Sequence, residues 1–407
     1  MRGAAAAAGP GSSSVTSVPI VTGRRLAQVR WSLMFGNFVI GSGVFVVVGT
    51  LSDIARSLAV PVSIAGQLVA VAGVVMCLGA PLLAGWVGGF DRRKLLAASL
   101  AWYAIGHALC ALMPSFAALL PMRALSVLGA AVFTPQAAAA IGVMTPPEHR
   151  GRAITFIFIG WSVASVFGMP VSAWLGDAFG WRVAFLTVAA IGAVSAVWVY
   201  ATVPSGVRPA ALSFAAWRGV FTNRILMAMV FVTVLFGSGQ FTLFSYLAPY
   251  FKSVVGASTT EVTLLFVCFG VAGVIGNTIA SRQVDRIGPD RAITFALILI
   301  AASMLAWPFA GNVVGIGILL VPWGLAIFSS QSMQQARLGS AAPALAPALM
   351  ALNTSAIYLG QAVGASSGGW LIAHYGYAPL SIFALAWVIA AMALSLWAGR
   401  AWRRSLR

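Results

Sequence analysis

Charged residues are scarce in this sequence. Only 8% of its 407 residues are Asp, Glu, Lys or Arg, and just seven of these are acidic, whereas a soluble domain carries about 25% charged residues. Hydrophobic residues make up 60% of the chain. This balance excludes an ordinary soluble domain and indicates that lipid, not water, surrounds most of the protein.

Cysteine and histidine are also rare. Cys77, Cys110 and Cys268 each lie in an apolar run without a CxxC or Cys/His spacing, which favours small core residues over metal ligands or disulfide partners. The three histidines and the scattered acids form none of the clusters that a membrane-embedded enzyme needs. We therefore predict that the protein is not an enzyme and holds no metal or other cofactor.

Long apolar runs dominate the rest of the sequence. A hydrocarbon core about 30 Å thick needs about 20 apolar residues per helical crossing, whereas a β-barrel strand needs only about ten alternating ones. The runs here are long and do not alternate. They predict an all-α polytopic membrane protein with twelve transmembrane helices, at approximately 29–51, 62–86, 95–113, 116–143, 153–175, 182–203, 224–249, 260–281, 292–310, 313–336, 348–373 and 378–399.

The basic residues lie between the apolar runs. A net charge of +17 would suggest a nucleic-acid partner if the charges formed one soluble patch, but they are spread over the loops. With both termini in the cytoplasm, most of them fall on the cytoplasmic side, as the positive-inside rule requires. We predict no nucleic-acid partner and a multi-pass protein of a bacterial cytoplasmic (inner) membrane, since the high Ala, Gly and Arg content is typical of a GC-rich bacterium.

The chain divides into two halves of six helices. The longest connection, a cytoplasmic linker at 204–223, separates a first bundle at 29–203 from a second at 224–399. A cytoplasmic tail at 1–28 is expected to be disordered, and a short basic tail occupies 400–407.

The two halves repeat a basic loop that contains an acid. One copy follows the second helix and the other follows the eighth, and their members are Gly85, Asp91, Arg92, Arg93, Asp285, Arg286, Gly288 and Arg291. A loop at the same place in each half indicates a duplicated six-helix unit with the substrate site between the copies.

Three motifs resemble those of the major facilitator superfamily. The first loop matches part of the family pattern Gly-x-x-x-Asp-Arg-x-Gly-Arg-Arg, with Gly88 at its acidic position. Arg123 and Gly129 are similar to an arginine motif of the fourth helix, and the fifth helix carries an antiporter-like motif made of Gly160, Gly168 and Pro170. The resemblance is to the twelve-helix drug and metabolite efflux branch, which includes bacterial arabinose, nucleoside and chloramphenicol exporters.

The resemblance implies two pseudo-symmetric six-helix bundles embedded in the lipid bilayer as a monomer. It also implies secondary active transport by alternating access, with a small neutral or amphipathic drug or metabolite exported in exchange for protons. An uptake or facilitated-diffusion carrier for a small polar solute, such as a sugar or nucleoside, is the alternative. A membrane receptor or scaffold that does not transport is disfavoured.

Arg123 is the one cation away from the ends of a predicted span. A charge at that depth costs about 2.5–3.5 kcal/mol even on insertion scales, so we expect it to face the bundle interior and to act in gating or coupling. The alternative is a structural arginine that extends toward the membrane surface.

No acid lies at the middle of a predicted span, and the position where relatives carry an acid in the first helix falls near Val44. The candidate proton carriers are therefore Asp53, Glu261 and His107, and one scheme has Arg123 displacing the proton from Asp53. The alternatives are solvated acids at helix ends and a hydrogen-bonded core histidine.

Amides and phenols supply most of the polar groups expected in the cavity. They suit a neutral or weakly charged substrate because they form hydrogen bonds without a fixed ion partner. The alternative is that about half of them join helices. The candidates are Asn37, Gln67, Gln136, Gln240, Tyr246, Asn277, Gln331, Gln335, Asn353, Tyr358 and Gln361.

Two further features bear on gating. Arg286 or Arg291 beside Asp285 is expected to link helix ends at the cytoplasmic gate, the alternative being that these residues only set the topology. The pairs Gly168 with Pro170 and Pro322 with Gly324 are predicted bend points.

Overall fold

The computed structural model describes residues 23–87, 89–146, 149–208 and 214–405, and in this part the chain is helical without a strand. Eleven helices or helix pairs of this part are long and apolar enough to cross a membrane. A twelfth helix of 30 residues, Ala346–Tyr375, is less apolar because it carries Asn, Gln, Ser and Gly at its contacts. The all-α fold with twelve membrane-crossing helices is confirmed.

The first half contains six crossings. Four of them are longer than the predicted spans, and some consist of two consecutive helices. The helices are α1 (Gly23–Ser57), α2 (Val62–Ala65), α3 (Gln67–Trp86), α4 (Arg92–Leu112), α5 (Phe116–Ser126), α6 (Leu128–Met144), α7 (Arg150–Val163), α8 (Met169–Phe179) and α9 (Trp181–Thr202). Pairs α2 and α3, α5 and α6, and α7 and α8 each form one crossing.

The second half repeats this arrangement after a short linker helix, α10 (Phe214–Thr222). Its helices are α11 (Arg224–Phe244), α12 (Leu247–Ser253), α13 (Thr259–Ile287), α14 (Pro289–Ala306), α15 (Val313–Ala341), α16 (Ala346–Tyr375) and α17 (Leu380–Ser405). Here α11 and α12 together form one crossing.

Helix packing follows the same plan in both halves. The first crossing packs against the fifth and sixth, the second against the fourth, and the third against the fourth and sixth: α1, α3 and α4 have these contacts in one half, and α11, α13 and α14 in the other. Between the halves, the second crossing of each packs against the fifth of the other, as α3 with α16 and α13 with α8. The two bundles are therefore related by pseudo-symmetry.

Helices extend beyond the predicted apolar runs at both ends of the chain. Residues 1–22 lie outside the described part, but α1 begins at Gly23 inside the predicted tail, and α17 continues to Ser405 through most of the predicted basic tail. Hydropathy marks only the stretch within lipid. Arginine has good helix propensity, and Arg403 and Arg404 near the C-terminal end of α17 interact favourably with the helix dipole.

One predicted bend point coincides with a break in helical geometry. A π-helical turn, Ala164–Gly168, separates α7 from α8 just before Pro170. Proline lacks an N–H and clashes with the carbonyl four residues earlier, and a wide turn relieves both problems. Pro322 lies inside α15, which continues without interruption, while an added Cβ at Gly324 would lie 2.8 Å from Ala272 Cβ and from the Phe269 carbonyl.

The helix ends form two faces. The arginine-rich face contains the ends that carry Arg24, Arg93, Arg150, Arg224, Arg291 and Arg404. The opposite face contains the ends near Ser57, Phe116, Trp181, Thr259, Val313 and Leu380.

Candidate transport pathway and coupling site

Arg123 lies in the interior of the first half, near the end of α5. Its side chain is 1% exposed. Nη2 donates a hydrogen bond to the Gly43 carbonyl of α1 at 2.7 Å, and Nη1 lies 2.9 Å from Nε2 of His107 in α4. The arginine therefore joins three crossings. We call Arg123, His107, Tyr103 and Gly43 the Arg123 cluster.

The hydrogen bond of His107 Nδ1 determines which ring nitrogen carries the hydrogen. Nδ1 lies 2.8 Å from the Tyr103 carbonyl, which can only accept, so Nδ1 carries the hydrogen and Nε2 accepts from Arg123. In this arrangement the imidazole is neutral. A second proton on the ring would place an N–H of His107 against an N–H of Arg123, so protonation requires the two side chains to separate.

Close helix approach makes room for the cluster. Tyr103 donates through its hydroxyl to the Ile40 carbonyl of α1 at 3.0 Å. A Cβ at Gly43 would lie 2.7 Å from His107 Nε2 and would overlap the Tyr103 hydroxyl. Glycine at this position of α1 is therefore required for Arg123 and His107 to reach the α1 backbone.

Arg123 has no carboxylate partner among the described residues, and its Nε has no hydrogen-bond partner there. The pairing of Arg123 with Asp53 considered from the sequence is absent. Asp53 lies ten residues beyond Gly43 along α1, about 15 Å at the rise of an α-helix. A sequence does not show which turn of one helix faces another, and the side chain that contacts Arg123 is His107.

Asp53 belongs to an ion cluster at the opposite face. It is 7% exposed, and its Oδ1 lies 3.4 Å from Arg56 Nη2 and 3.9 Å from Nζ of Lys252 in α12. Lys252 Nζ also lies 3.0 Å from Oδ1 of Asp177 in α8. Lys252 comes from the second half and both acids come from the first, so this cluster holds the two halves together.

Glu261 has a local role at the start of α13. Its Oε2 accepts hydrogen bonds from the backbone N–H and the hydroxyl of Ser258 at 2.8 and 2.7 Å, and Ser258 Oγ accepts from the Glu261 N–H at 3.3 Å. This is a capping box. The structure thus places Glu261 at a helix terminus and away from the Arg123 cluster, for a reason visible in the Ser-x-x-Glu sequence.

Four predicted cavity residues join helices by hydrogen bonds. They are Gln361 with the Val69 carbonyl, Asn353 with Thr233, Asn277 with Ser332, and Tyr246 with the Ala365 carbonyl, at 2.6–3.1 Å. The bond between Gln361 and Val69 links the two halves, which gives this amide a role in their association.

Other predicted cavity residues retain free hydrogen-bonding capacity. Asn37 Oδ1, Gln240 Nε2 and Gln331 Oε1 are buried atoms without a hydrogen-bond partner among the described residues. Gln136 and Tyr358 are buried, whereas Gln67 and Gln335 are half-buried. Unsatisfied buried amides are costly, so a polar ligand that bonds to them gains affinity.

An aromatic cluster across the two halves lies one helical turn from Gln240, and its residues were not predicted from the sequence. Phe244 of α11 contacts Phe45 of α1, with 6.1 Å between ring centroids, and Phe269 and Trp323 of its own half, at 5.7 and 6.4 Å. Gln240 precedes Phe244 by one helical turn, on the side toward the arginine-rich face. The ring of Phe244 therefore lies between Gln240 and the opposite face.

Glycines allow the backbones of the two halves to touch. A Cβ at Gly73 of α3 would lie 2.7 Å from the Tyr358 carbonyl, and a Cβ at Gly270 of α13 would lie 2.8 Å from the Ser165 carbonyl. Ser165 lies in the π-helical turn. Small residues permit this approach, and we call these two contacts the glycine seams.

The first loop motif organises its own half. Asp91 caps α4 by accepting from the N–H groups of Arg93 and Lys94 at 3.0 and 3.4 Å, and it also accepts from the Gly206 N–H. Arg92 donates to nearby loop carbonyls, and Arg93 Nε donates to the Tyr200 carbonyl of α9 at 2.7 Å. The surroundings of Gly85 lie outside the described part.

The second loop was expected to link Asp285 to Arg286 or Arg291, and this prediction lies outside the described residues. The Asp285 side chain lies outside the described part, Gly288 forms the turn after α13 with a φ of 82°, and Arg286 and Arg291 are exposed. The observed link is between Asp290 of α14, Arg337 of α15 at 2.7 Å and Arg403 of α17 at 2.9 Å. It joins helices of one half only, and a cation near the end of the α15 run was the sequence signal for it.

Comparison with known proteins adds a family context. The model of the family described as "Major Facilitator Superfamily" matches residues 33–365. The chain is 31% identical to "Inner membrane transport protein YdhP" of Escherichia coli (strain K12), covering 90% of this chain and 94% of that protein. It is 28% identical to a "Probable sugar efflux transporter" of Pasteurella multocida (strain Pm70), covering 88% and 89%.

Solved structures share the fold at low identity. The D-xylose-proton symporter superposes with a TM-score of 0.74 at 19% identity, covering 91% of this chain and 97% of that chain. An inward-facing, unoccupied bacterial homolog of the human lysosomal transporter Spinster superposes with a TM-score of 0.77 at 16% identity, covering 94% and 99%.

Proposed function

Since the chain belongs to the Major Facilitator Superfamily and is a membrane transporter, we propose that it exports a small neutral or amphipathic compound by alternating access, in exchange for protons. The location of the contacts between the halves carries this proposal. The ion pairs of Lys252 and the bond from Gln361 lie between the bundle centre and the opposite face, and the glycine seams lie near the bundle centre.

The location of these contacts supports a state of the alternating-access cycle in which the opposite face is closed. The opposite face is closed by contacts between halves, whereas the ion pairs found at the arginine-rich face, those of Asp290, lie within one half. With the arginine-rich face in the cytoplasm, as the positive-inside rule indicates, the state is closed to the outside. Export requires these contacts to separate while the cytoplasmic ends approach each other.

The lining of the pathway supports a neutral or amphipathic substrate. The unpartnered amide atoms of Gln240 and Gln331 offer a donor and an acceptor, and the aromatic rings near Phe244 offer an apolar surface. No carboxylate of the described residues lies among them, so selection of a dication is disfavoured. The name of the Pasteurella multocida relative, a probable sugar efflux transporter, agrees with a neutral polar solute.

The Arg123 cluster supports proton coupling through His107. The imidazole can accept a proton at Nε2 only when Arg123 moves away, so its protonation and the geometry of α1, α4 and α5 depend on each other. Asp53 is the second coupling candidate, because its protonation would remove the attraction to Lys252 across the halves. Protonation of His107 or of Asp53 would thus be coupled to a conformational change, as the exchange of protons for substrate requires.

Transport in inside-out membrane vesicles tests direction and coupling. A deletion strain screened against toxic compounds and metabolites first identifies a substrate. Vesicles with an acidic interior should then accumulate it against its gradient, and a protonophore should abolish the accumulation, while vesicles lacking the protein serve as the control. Equilibration without accumulation, unchanged by the protonophore, would support the facilitated-diffusion alternative instead.

A further inference from the structure

The linker helix α10 has one side packed on the second half and one side exposed. Val220 is fully buried against the neighbouring helix ends, and a Cβ at Gly219 would lie 3.3 Å from Leu345. On the exposed side, Phe221 is 55% exposed, and its ring stacks on Trp217 with 5.9 Å between centroids. The stacked pair gives the exposed side of α10 an apolar surface.

The helix is held at the level where the membrane begins. Asn223 is the single residue between α10 and α11, and its side chain caps α11 by accepting from the N–H groups of Ile225 and Leu226 at 3.0 and 3.1 Å. Its own N–H donates to the Val220 carbonyl at 3.2 Å. Since α11 starts a candidate membrane span at Arg224, α10 lies at headgroup depth.

Arginines flank the exposed ring. Arg218 and Arg224 are both exposed, and neither forms an ion pair with an acid of the described residues. The acids described on this face are already engaged: Asp91 with backbone N–H groups, and Asp290 with two arginines. The positive charge on α10 therefore lacks a protein counterion there.

From this geometry we infer that α10 is a docking surface for anionic phospholipids, with Phe221 entering the interface between headgroups and acyl chains and Arg218 and Arg224 binding the phosphate groups. Aromatic rings favour that interface. An amphipathic helix with basic residues binds anionic lipid both by burying apolar area and by electrostatic attraction. The surface is separate from the candidate cavity residues, since it consists of Arg218, Phe221 and Arg224 and includes none of them.

Hydrogen exchange of the full chain in nanodiscs tests the inference. Amide exchange in peptides covering α10 is measured in phosphatidylcholine discs and in discs with about 40% phosphatidylglycerol. Each arginine at a membrane surface contributes roughly a fivefold preference for anionic lipid, so exchange in α10 should be slower by several-fold in the anionic discs. The double variant R218Q/R224Q should lose this difference, and Phe221→Ser should reduce protection in both kinds of disc.

A matched control separates a docking surface from diffuse attraction. The double variant R282Q/R400Q removes the same charge from exposed positions of the same face outside α10 and should retain the slow exchange. Equal exchange of α10 in the two discs, or an equal loss in both double variants, would overturn the inference. So would slow exchange produced in phosphatidylcholine discs by inorganic phosphate, which would indicate a site for the free anion. Unchanged thermal unfolding in detergent checks that each variant is folded.

Discussion

Arg123 illustrates how a single buried charge is stabilised without an acid. A buried ion needs compensation for lost hydration, and here a backbone carbonyl and a neutral imidazole provide it at 2.7 and 2.9 Å. Because His107 bonds through both ring nitrogens, the cluster is rigid only while the ring is neutral. One residue therefore links the protonation state to helix packing.

Replacement of His107 with Gln separates hydrogen bonding from proton carriage. The amide can donate to the Tyr103 carbonyl and accept from Arg123, as the imidazole does, but it does not titrate. We expect His107→Gln to keep thermal stability and substrate counterflow near those of the wild type, while accumulation driven by a pH gradient falls at least about tenfold.

The apolar variant His107→Leu provides the comparison. It leaves Arg123 Nη1 without a partner, and an unsatisfied buried donor costs about 1–3 kcal/mol, so the unfolding temperature in detergent should fall. Full gradient-driven accumulation by His107→Gln would show that His107 is structural and does not carry the proton.

Among the elements, α3, α13 and the π-helical turn control how closely the halves approach. At both glycine seams the nearest atoms to an added Cβ belong to backbone, so no side chain can rotate away to relieve the contact. The seam at Gly270 forms where the glycine faces the π-helical turn, and the seam at Gly73 forms where the glycine faces the backbone of α16. A glycine or a π-helical turn alone does not indicate a contact between the halves.

Alanine at a glycine seam should favour opening of the opposite face. In Gly73→Ala the new methyl group meets the Tyr358 carbonyl at 2.7 Å, and overpacking of this kind costs about 1–3 kcal/mol in the closed state only. A cysteine at Ser63, which is 8% exposed, should then react faster with an impermeant maleimide in a background without the native cysteines.

Gly142→Ala is the control for this substitution. Its methyl group would meet only Ile154 Cδ1, at an ordinary 3.6 Å, and labelling at position 63 should not change. Equal labelling rates in Gly73→Ala and Gly142→Ala would mean that the seam does not limit opening.

For the whole molecule, the ion cluster of Asp53, Asp177 and Lys252 is a polar link that spans the halves at the opposite face. We expect Lys252→Gln to weaken that closure, because it removes the cation shared by the two acids. Spin labels at Leu112 and Gly311, one in each half at this face and both exposed, should show a longer mean distance in the variant. Lys252→Arg should preserve the wild-type distance; an unchanged distance in Lys252→Gln would argue against the link.

Membrane orientation also belongs to this scale. Cysteines at Lys94 and Arg286, both exposed on the arginine-rich face, should react with an impermeant reagent only in inside-out vesicles. A cysteine at Gly311, where an added side chain meets no atom within 4 Å, should react only in right-side-out vesicles. Labelling of Lys94 and Arg286 from different sides would contradict the duplicated six-helix arrangement.

The sequence by itself determined that the protein lies in lipid, that it crosses the membrane twelve times and that it has two halves. Hydropathy and charge act on each segment locally, so these features need no tertiary contact. It also indicated that Arg123 points inward, because lipid penalises a charge on any other side of the helix. A local pattern, Ser258-x-x-Glu261, already contained the true role of Glu261.

Only the tertiary structure decided the partners. His107 meets Arg123, Lys252 meets Asp53 and Asp177, and Asp290 meets Arg337 and Arg403. Each pairing depends on the rotation and axial offset of helices distant in the chain, and a shift of one residue turns a helix by about 100°. Composition sets which groups must find partners, while packing sets which partners they find.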